Sequence, residues 1–310
     1  LDEALELRRA GVGLPILILG HTPVEYVPAL LENDLTQTVT NRAKALEYDD
    51  AARTLGKRLR IHIKLDTGMA RLGFLCGGAH FEEGVDNIIR SCSLPGLESE
   101  GVYTHFAVSD VEDAESESYT RGQFELFMRV IAEVEKRGGI KFSIRHCANS
   151  GAVASYPEMA LDMVRPGLLL YGYGDTSGRL GLRPCMRLVS TVSTIKIYDS
   201  GVSVSYGRRF VTERRTRMGV LAVGYADGLP RIVSNKCSFA AGHGFAPQRG
   251  SICMDMCMID LTDLPEVDVG SEVELFGERN SIYKLSDAAG TIPYELLCSV
   301  SKRVPRVYIW

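Results

Sequence analysis

Long apolar runs are missing from this sequence. Nothing approaches the roughly 18 residues needed to cross a bilayer, and the stretch from Leu14 to Leu19 has only the length of a buried strand. A basic excess is missing too: 35 Lys and Arg face 39 Asp and Glu, a net charge of -4, which leaves no electrostatic footprint for nucleic acid. The eight cysteines include no CxxC pair, and most fall inside apolar strand or helix patterns. A zinc site needs ligands clustered at short spacing. The six histidines do not supply them, so no metal is expected. No glycine-rich turn follows the first strand, as it would in a dinucleotide-binding open sheet. Repeats, low-complexity tracts and long linkers are also absent, and the opening residues carry no secretory signal pattern. The remaining pattern is that of an ordinary globular chain of 310 residues, long enough for one large domain and a smaller one.

The first 175 residues alternate short apolar strands with helices. PILILG (15–20), the stretch around 36–40, RIHIKLD (60–66), ESEGVYTHF (98–106), KFSIRHC (141–147) and ALDMVRPG (160–167) read as strands. The clearest helix runs from about Tyr119 to Arg137, with Phe124, Phe127, Met128, Ile131 and Val134 on one face and Gly138-Gly139 as its stop. Such alternation implies a parallel sheet with helical crossovers. Six strands suit an open sheet or an incomplete (β/α)8 barrel. In a barrel, two strand-helix units of roughly 30 residues each would lie upstream of Leu1. LDEALELRRAG (1–11) is already a helix, with Asp2 and Glu3 at its start and Gly11 at its end, so the sequence is expected to be a piece of a longer chain. After residue 185 the texture turns to strands: 186–207 as two around Tyr198-Asp-Ser-Gly, then 218–228, 250–260 and 271–277. Only KLSDAAGTIPYELLCSV (284–300) looks helical, with Pro293 suited to a first turn. The domains expected are 1–184, an α/β TIM-type barrel, and 185–310, a mostly β domain.

Several strand ends carry residues with chemical uses. Arg71 in KLDTGMARLG (64–73) could bind an anion, or sit in a surface turn closed by Gly68 and Gly73. His105 in THFAVSD (104–110) could be a catalyst or a structural hydrogen-bonder. Asn149 and Ser150 in HCANSG (146–151) are capping residues at a helix start that could also receive phosphate. Arg165 in MVRPGLLLYGYG (163–174) needs an anion, a ring nitrogen or an ion-pair partner, and Gly167 allows close backbone approach. In the second half, Tyr206 lies in VSYG (204–207), and the Met/Cys alternation of GSICMDMCMID (250–260) reads first as a core strand.

Together these strings resemble the alanine racemase family, the fold type III pyridoxal enzymes. KLDTGMARLG, THFAVSD, HCANSG, MVRPGLLLYG, VSYG, GYADG, ICMD and TIPYE keep the family's order and spacing across the whole chain. The resemblance implies a (β/α)8 barrel followed by a β-rich domain, with pyridoxal 5'-phosphate as cofactor. The family's Schiff-base lysine ends the first barrel strand. None of the nine lysines here matches it, so it is expected upstream of Leu1. By the same resemblance Arg165 faces the pyridine nitrogen, and Asn149, Ser150, Gly167, Leu168 and Tyr294 surround the phosphate. Arg71 lies near the phenolic oxygen and the substrate carboxylate, and Lys64 matches a lysine that some members carry carbamylated. His105 lies beside the ring, and Tyr206 is the second catalytic base, reaching the other subunit's site in a homodimer. Met254, Asp255 and Tyr225 line the substrate site and its corridor. Ser251, where many members have arginine, and Lys302, where many have an aromatic residue, depart from the pattern. The implied activity is interconversion of L- and D-alanine for peptidoglycan precursors in the cytoplasm. Alternatives are the serine racemase domain of a vancomycin-resistance membrane protein, in which case this piece would be its cytoplasmic part, a decarboxylase of the same fold type, and a non-catalytic pyridoxal-binding protein. The last lacks a β domain.

Overall fold

A computed structural model describes residues 1–174 and 180–309. The chain forms two compact units, Leu1–Leu169 and the residues from Leu170 onward.

The first unit is a parallel half-barrel. Its strands are β1 (Ile16–Ile18), β2 (Leu35–Val39), β3 (Leu59–Asp66), the short β4 (Phe74–Leu75), β5 (Leu97–Tyr103) and β6 (Ile144–His146). The sheet order is β1-β2-β3-β5-β6, all parallel, with β4 pairing the end of β3. Its helices are α1 (Asp2–Arg9), α2 (Val27–Glu32), α3 (Arg42–Thr54), α4 (Phe81–Cys92), α5 (Ala114–Gly138) and α6 (Ser150–Ser155). Both β2 and β3 are buried nearly throughout, as parallel strands covered on both faces must be. That is why RIHIKLD carries apolar side chains at Ile61, Ile63 and Leu65 and still buries His62, Lys64 and Asp66 opposite them.

The helix expected at 119–137 begins earlier, at Ala114. The Asp113 carboxylate caps it by accepting from the Ser116 N–H at 2.8 Å. It ends where Gly139 turns left-handed at φ 66°. Phe127, Val130 and Val134 are its buried stripe.

One expected strand is absent. ALDMVRPG (160–167) meets the sheet at two separate points: the bridge of Asn149 to Arg165, and Asp162, whose N–H donates to the Arg145 carbonyl at 3.1 Å. Leu161 sits at φ 53°, a left-handed turn, and Pro166 has no N–H to give a ladder. The segment therefore behaves as a loop whose one extended residue, Arg165, is pinned by its N–H to the Ala148 carbonyl at 2.9 Å.

The second unit is a closed antiparallel barrel in the order β10-β13-β12-β11-β14-β7. Its strands are β7 (Leu188–Tyr198), β8 (Ser203–Val204), β9 (Phe210–Val211), β10 (Thr216–Leu221), β11 (Ser238–Ala241), β12 (Gly244–Arg249), β13 (Cys257–Asp260) and β14 (Glu272–Phe276). The two strands expected at 186–207 both form but do not pair with each other. β7 joins β10 and β14, while β8 pairs with β9 outside the barrel.

GSICMDMCMID (250–260) is a strand only from Cys257. Before it the chain turns, with the Cys253 N–H bonded to the Met256 carbonyl at 2.9 Å. Met254 and Met256 are consequently exposed, not core. The expected helix at 284–300 is two helices, α7 (Ile282–Ala289) and α8 (Pro293–Ser299), divided where Gly290 turns left-handed at φ 71°. Pro293 opens the second at its first position.

Candidate active site

In the first unit the chemistry-bearing residues collect at the C-terminal ends of parallel strands, where (β/α) folds place reactive groups. Lys64 lies near the end of β3 and Arg71 on the loop after it. His105 follows β5. Asn149 and Ser150 follow β6, and Arg165 follows in the bridge beside Asn149.

The structure brings Arg165 to the centre of this group. Its guanidinium donates from Nη2 to the Thr104 carbonyl at 2.8 Å and to the Cys147 carbonyl at 3.3 Å, and the same nitrogen is 3.4 Å from Nδ1 of His105. From Nη1 it donates to Nδ1 of His146. Tyr103 lies beneath it, with the guanidinium 5.1 Å from the ring centre. Among the described residues no carboxylate pairs with Arg165, and burial lowers its pKa from the usual guanidinium value. An isolated buried cation is costly unless something balances it.

The surroundings show the same field. Lys64 is only 5% exposed, donates to the Leu65 carbonyl at 2.8 Å, and sits 5.2 Å from the Tyr103 ring centre. Burial, then the Arg165 cation, push its ammonium down to about 7; Asp66 opposes the shift and Arg71 adds to it. Burial and the charges of Arg165, Lys64 and Arg71 hold His105 down at about 4, so its ring is neutral at physiological pH.

Asn149 and Ser150 organise the neighbouring turn. The Asn149 side chain caps α6 by accepting from the Ala152 N–H at 3.1 Å, and it also accepts from the Ser109 hydroxyl at 2.7 Å. The Ser150 hydroxyl accepts from the Leu168 N–H at 2.9 Å. This ties the loop after Arg165 to the start of α6. Gly167 lies between them with no heavy atom within 4 Å of where a Cβ would stand, so an open cradle faces its backbone.

The residues expected from the second unit lie on its turns and on α8. The loop 250–256 is zipped to the short 3-10 turn Tyr225–Asp227: the Tyr225 and Ala226 N–H groups donate to the Cys253 and Met254 carbonyls, each at 3.0 Å. Arg303 clamps both, reaching Asp227 at 2.8 Å and Asp255 at 2.6 Å. Tyr225, Met254 and Tyr206 are exposed here, and Tyr294 is exposed on α8.

Tyr206 is 71% exposed and follows a strained residue, Ser205, at φ 64° and ψ -175°. That conformation is close to glycine-only and persists only when its surroundings impose it. Two hydroxyls impose it. Ser205 donates to the Ser251 carbonyl at 2.6 Å, and Ser251 donates to the Tyr206 carbonyl at 2.7 Å. Ser251, singled out in the sequence for its difference from the family, is therefore a buried turn lock.

Sequence reasoning missed Tyr103 and His146, which contact Arg165, and His62 and Glu100, which follow His146 in a run leading away from it. His146 opens HCANSG, and His62 stands two residues before Lys64, hence on the same side of β3. Both signals were present in the sequence. That the two rings meet depends on the registers of β3 and β6 against β5, which local sequence does not reveal.

Known proteins resemble the chain over nearly its whole length. Residues 1–175 match the family model described as alanine racemase, N-terminal domain, and residues 185–308 match that of the alanine racemase C-terminal domain. The chain is 42% identical to the alanine racemase of Clostridium perfringens over 316 aligned positions, covering 99% of this chain and 80% of that one. Against the alanine racemase of Desulforamulus reducens the identity is also 42%, covering 100% and 83%. Among solved structures, alanine racemase from Clostridium difficile is 35% identical with a TM-score of 0.90, covering 99% of this chain and 80% of that one. The Bacillus anthracis enzyme with bound L-Ala-P is 33% identical with a TM-score of 0.88, covering 100% and 80%.

Proposed function

Since the chain belongs to the alanine racemase family, we propose that the buried cation cluster around Arg165 is the pyridoxal-phosphate end of its active site. The protein is an isomerase that interconverts L- and D-alanine. The observation that carries the site reading is Arg165: a half-buried guanidinium with no carboxylate partner among the described residues, beside the strand ends, flanked by neutral histidines. A cation so placed fits an electron-rich acceptor such as a pyridine nitrogen. The open backbone at Gly167, beside Asn149, Ser150 and the Leu168 N–H, fits a phosphate group, and Tyr294 is assigned to it by family likeness.

The cofactor, when bound, supplies the sink for the electron pair left at the substrate α-carbon. The chain's own residues do the rest. With the cofactor bound, Arg165 would donate a hydrogen bond to its ring nitrogen without giving up the guanidinium proton. This moderates the sink and disfavours side reactions. Arg71 binds the substrate carboxylate. His105 stays neutral beside the ring. Lys64, whose ammonium is weakened by its surroundings, holds enough free amine near neutral pH to add carbon dioxide at Nζ, forming a carbamate as the nitrogen gives one proton to solvent. Tyr206 moves the proton on one face of the substrate. Its exposure on the second unit suits a residue that serves the partner's site in a homodimer. Met254, Asp255 and Tyr225 line the substrate side.

The proton on the opposite face is assigned to the family's Schiff-base lysine, which none of the nine lysines of this sequence matches. The functional boundary is set at 184/185, just before β7. No helix among the described residues is long and apolar enough to cross a membrane, and a cytoplasmic role in supplying D-alanine for peptidoglycan is proposed.

Two measurements test this reading. Purified full-length protein should show a visible absorbance band from bound pyridoxal phosphate that borohydride removes. Colourless protein that ignores added cofactor contradicts it. L-alanine should also be turned over at least as well as L-serine, because Met254 and Tyr294 present large side chains to the substrate. An unpaired serine hydroxyl would cost about 1–3 kcal/mol, roughly 5- to 150-fold in relative kcat/KM. Preference for serine would overturn the substrate assignment.

A further inference from the structure

Below Arg165 lies a run of polar side chains that the reaction itself does not use. Nδ1 of His146 faces Arg165 Nη1. Nε2 of His146 lies 2.9 Å from Nδ1 of His62, and Nε2 of His62 lies 3.3 Å from Oε2 of Glu100. We propose that His146, His62 and Glu100 form a one-way hydrogen-bond relay that positions Arg165, with Glu100 as its terminal anchor. The inference rests on the assignment of Arg165 to the cofactor's ring nitrogen made above.

The direction follows from donor and acceptor chemistry. A guanidinium has donors only. Nδ1 of His146 must therefore accept, so that ring carries its proton on Nε2. That proton is donated to His62 Nδ1, which forces the second proton onto His62 Nε2, where the Glu100 carboxylate accepts it. Each ring then has one donor and one acceptor, all matched. No other arrangement works, because reversing the run would require arginine to accept. Protonating either ring would set N–H against N–H, and both imidazoles are held below their ordinary pKa, first by burial and also by the Arg165 charge.

The sequence is built around these rings. Tyr103 stacks on His146 at 4.6 Å and 8° between planes, and its hydroxyl is fixed by Thr38 at 3.0 Å. Gly101 makes room for the other ring: a Cβ there would lie 2.5 Å from Cε1 of His62.

The relay also serves the charge on Arg165. Two imidazole dipoles aligned head to tail turn their negative ends toward the guanidinium, and the run ends on a carboxylate. A carboxylate placed directly against Arg165 would occupy the donors that the ring nitrogen needs. At the far end of two rings it supports the cation and leaves those donors free.

The test begins with histidine-labelled protein and long-range proton–nitrogen NMR. At pH 7 both His62 and His146 should be neutral with the proton on Nε2. A proton on Nδ1 of either ring, or an imidazolium, overturns the proposal. On cofactor-loaded full-length enzyme, Glu100→Leu should lower kcat roughly 3- to 10-fold, the worth of one hydrogen bond, with KM within about twofold. Glu100→Gln still offers an acceptor oxygen and should keep most of the activity. Loss in the Gln variant equal to that in the Leu variant, or wild-type kcat in the Leu variant, contradicts the relay. Pyridoxal phosphate that leaves the Arg165 side-chain resonances unmoved would contradict the cofactor role given to Arg165, whereas the histidine tautomers report the relay independently of that result.

Discussion

The two units hold their functional residues in opposite ways. In the first, Arg165, Lys64, His146 and His62 are fixed from inside by hydrogen bonds among buried side chains and strand carbonyls. In the second, Tyr206, Tyr225, Met254 and Tyr294 stand exposed, and the backbone beneath them is what is fixed. It is held by strained turns, serine locks and the Arg303 clamp. Buried positioning suits groups that tune charge, because low dielectric strengthens every interaction. Exposed side chains on a locked backbone suit groups that must reach a substrate or a partner surface. The first arrangement should fail when protons or atoms are added to the core, and the second when a contact atom or a turn lock is removed.

The largest effect is expected from the most exposed of these residues. Tyr206→Phe removes one hydroxyl and no packing. It should lower racemisation in both directions by roughly 10²- to 10⁴-fold, the usual worth of a positioned acid–base group, while the melting temperature stays put. Activity within a few-fold of wild type would remove Tyr206 from the reaction.

Acid should then separate the units. His62, His105 and His146 all lie in the first unit and all have folded pKa values below the ordinary imidazole range. The unfolded chain takes up protons from about pH 6.5 downward while the fold resists them. Stability that is fully present above pH 6.5 therefore drains away as pH falls. For His105 the loss continues to about pH 4 and amounts to about 3 kcal/mol. Hydrogen exchange across this range should locate the weakening in the first unit. A flat profile, or weakening confined to the second, would break the comparison.

A smaller effect comes from added atoms. Gly101→Ala thrusts a methyl against the His62 ring and should destabilise by about 1–3 kcal/mol, as overpacking does. Gly167→Ala points into open space, and its stability should change by less than about 0.5 kcal/mol, although cofactor affinity should fall. Equal melting temperatures for the two variants would refute the crowding argument. Weaker than the Gly101 effect, Ser251→Ala deletes one half of the lock under Tyr206 and should cost about 0.5–1.5 kcal/mol. It should also lower kcat, because the tyrosine then samples other positions. An unchanged kcat would mean that Ser205 alone holds the turn.

Much of the active side was legible in the sequence because strand ends in a parallel sheet are where polar residues interrupt apolar runs. His105 and Asn149 announced themselves that way; Arg165 did so through a segment that is not a strand, and Lys64 entered only through the family resemblance. Period alone misled where turns imitate strands. The Met/Cys alternation at 253–258 arises in a loop that buries Ile252 and Cys257 at its two ends, and the Gly250 turn at φ 73° that precedes it has no signature in that alternation. ALDMVRPG looked like a strand through its apolar residues, but Leu161 turns left-handed and Pro166 cannot pair. The His146–His62–Glu100 run was illegible for another reason. Three residues from two adjacent strands and a third meet only through register, including the irregularity at Ile61/His62 where β3 pairs with β5.

The most direct test of the account is the end point of the reaction itself. Full-length protein supplied with pyridoxal phosphate and pure L-alanine should drive the mixture to equal amounts of L- and D-alanine, and should reach the same end point from pure D-alanine, since the enantiomers have equal free energies. Arg165→Met should slow the approach without moving the end point. Failure to form D-alanine, or the appearance of a decarboxylated amine in its place, would contradict the account.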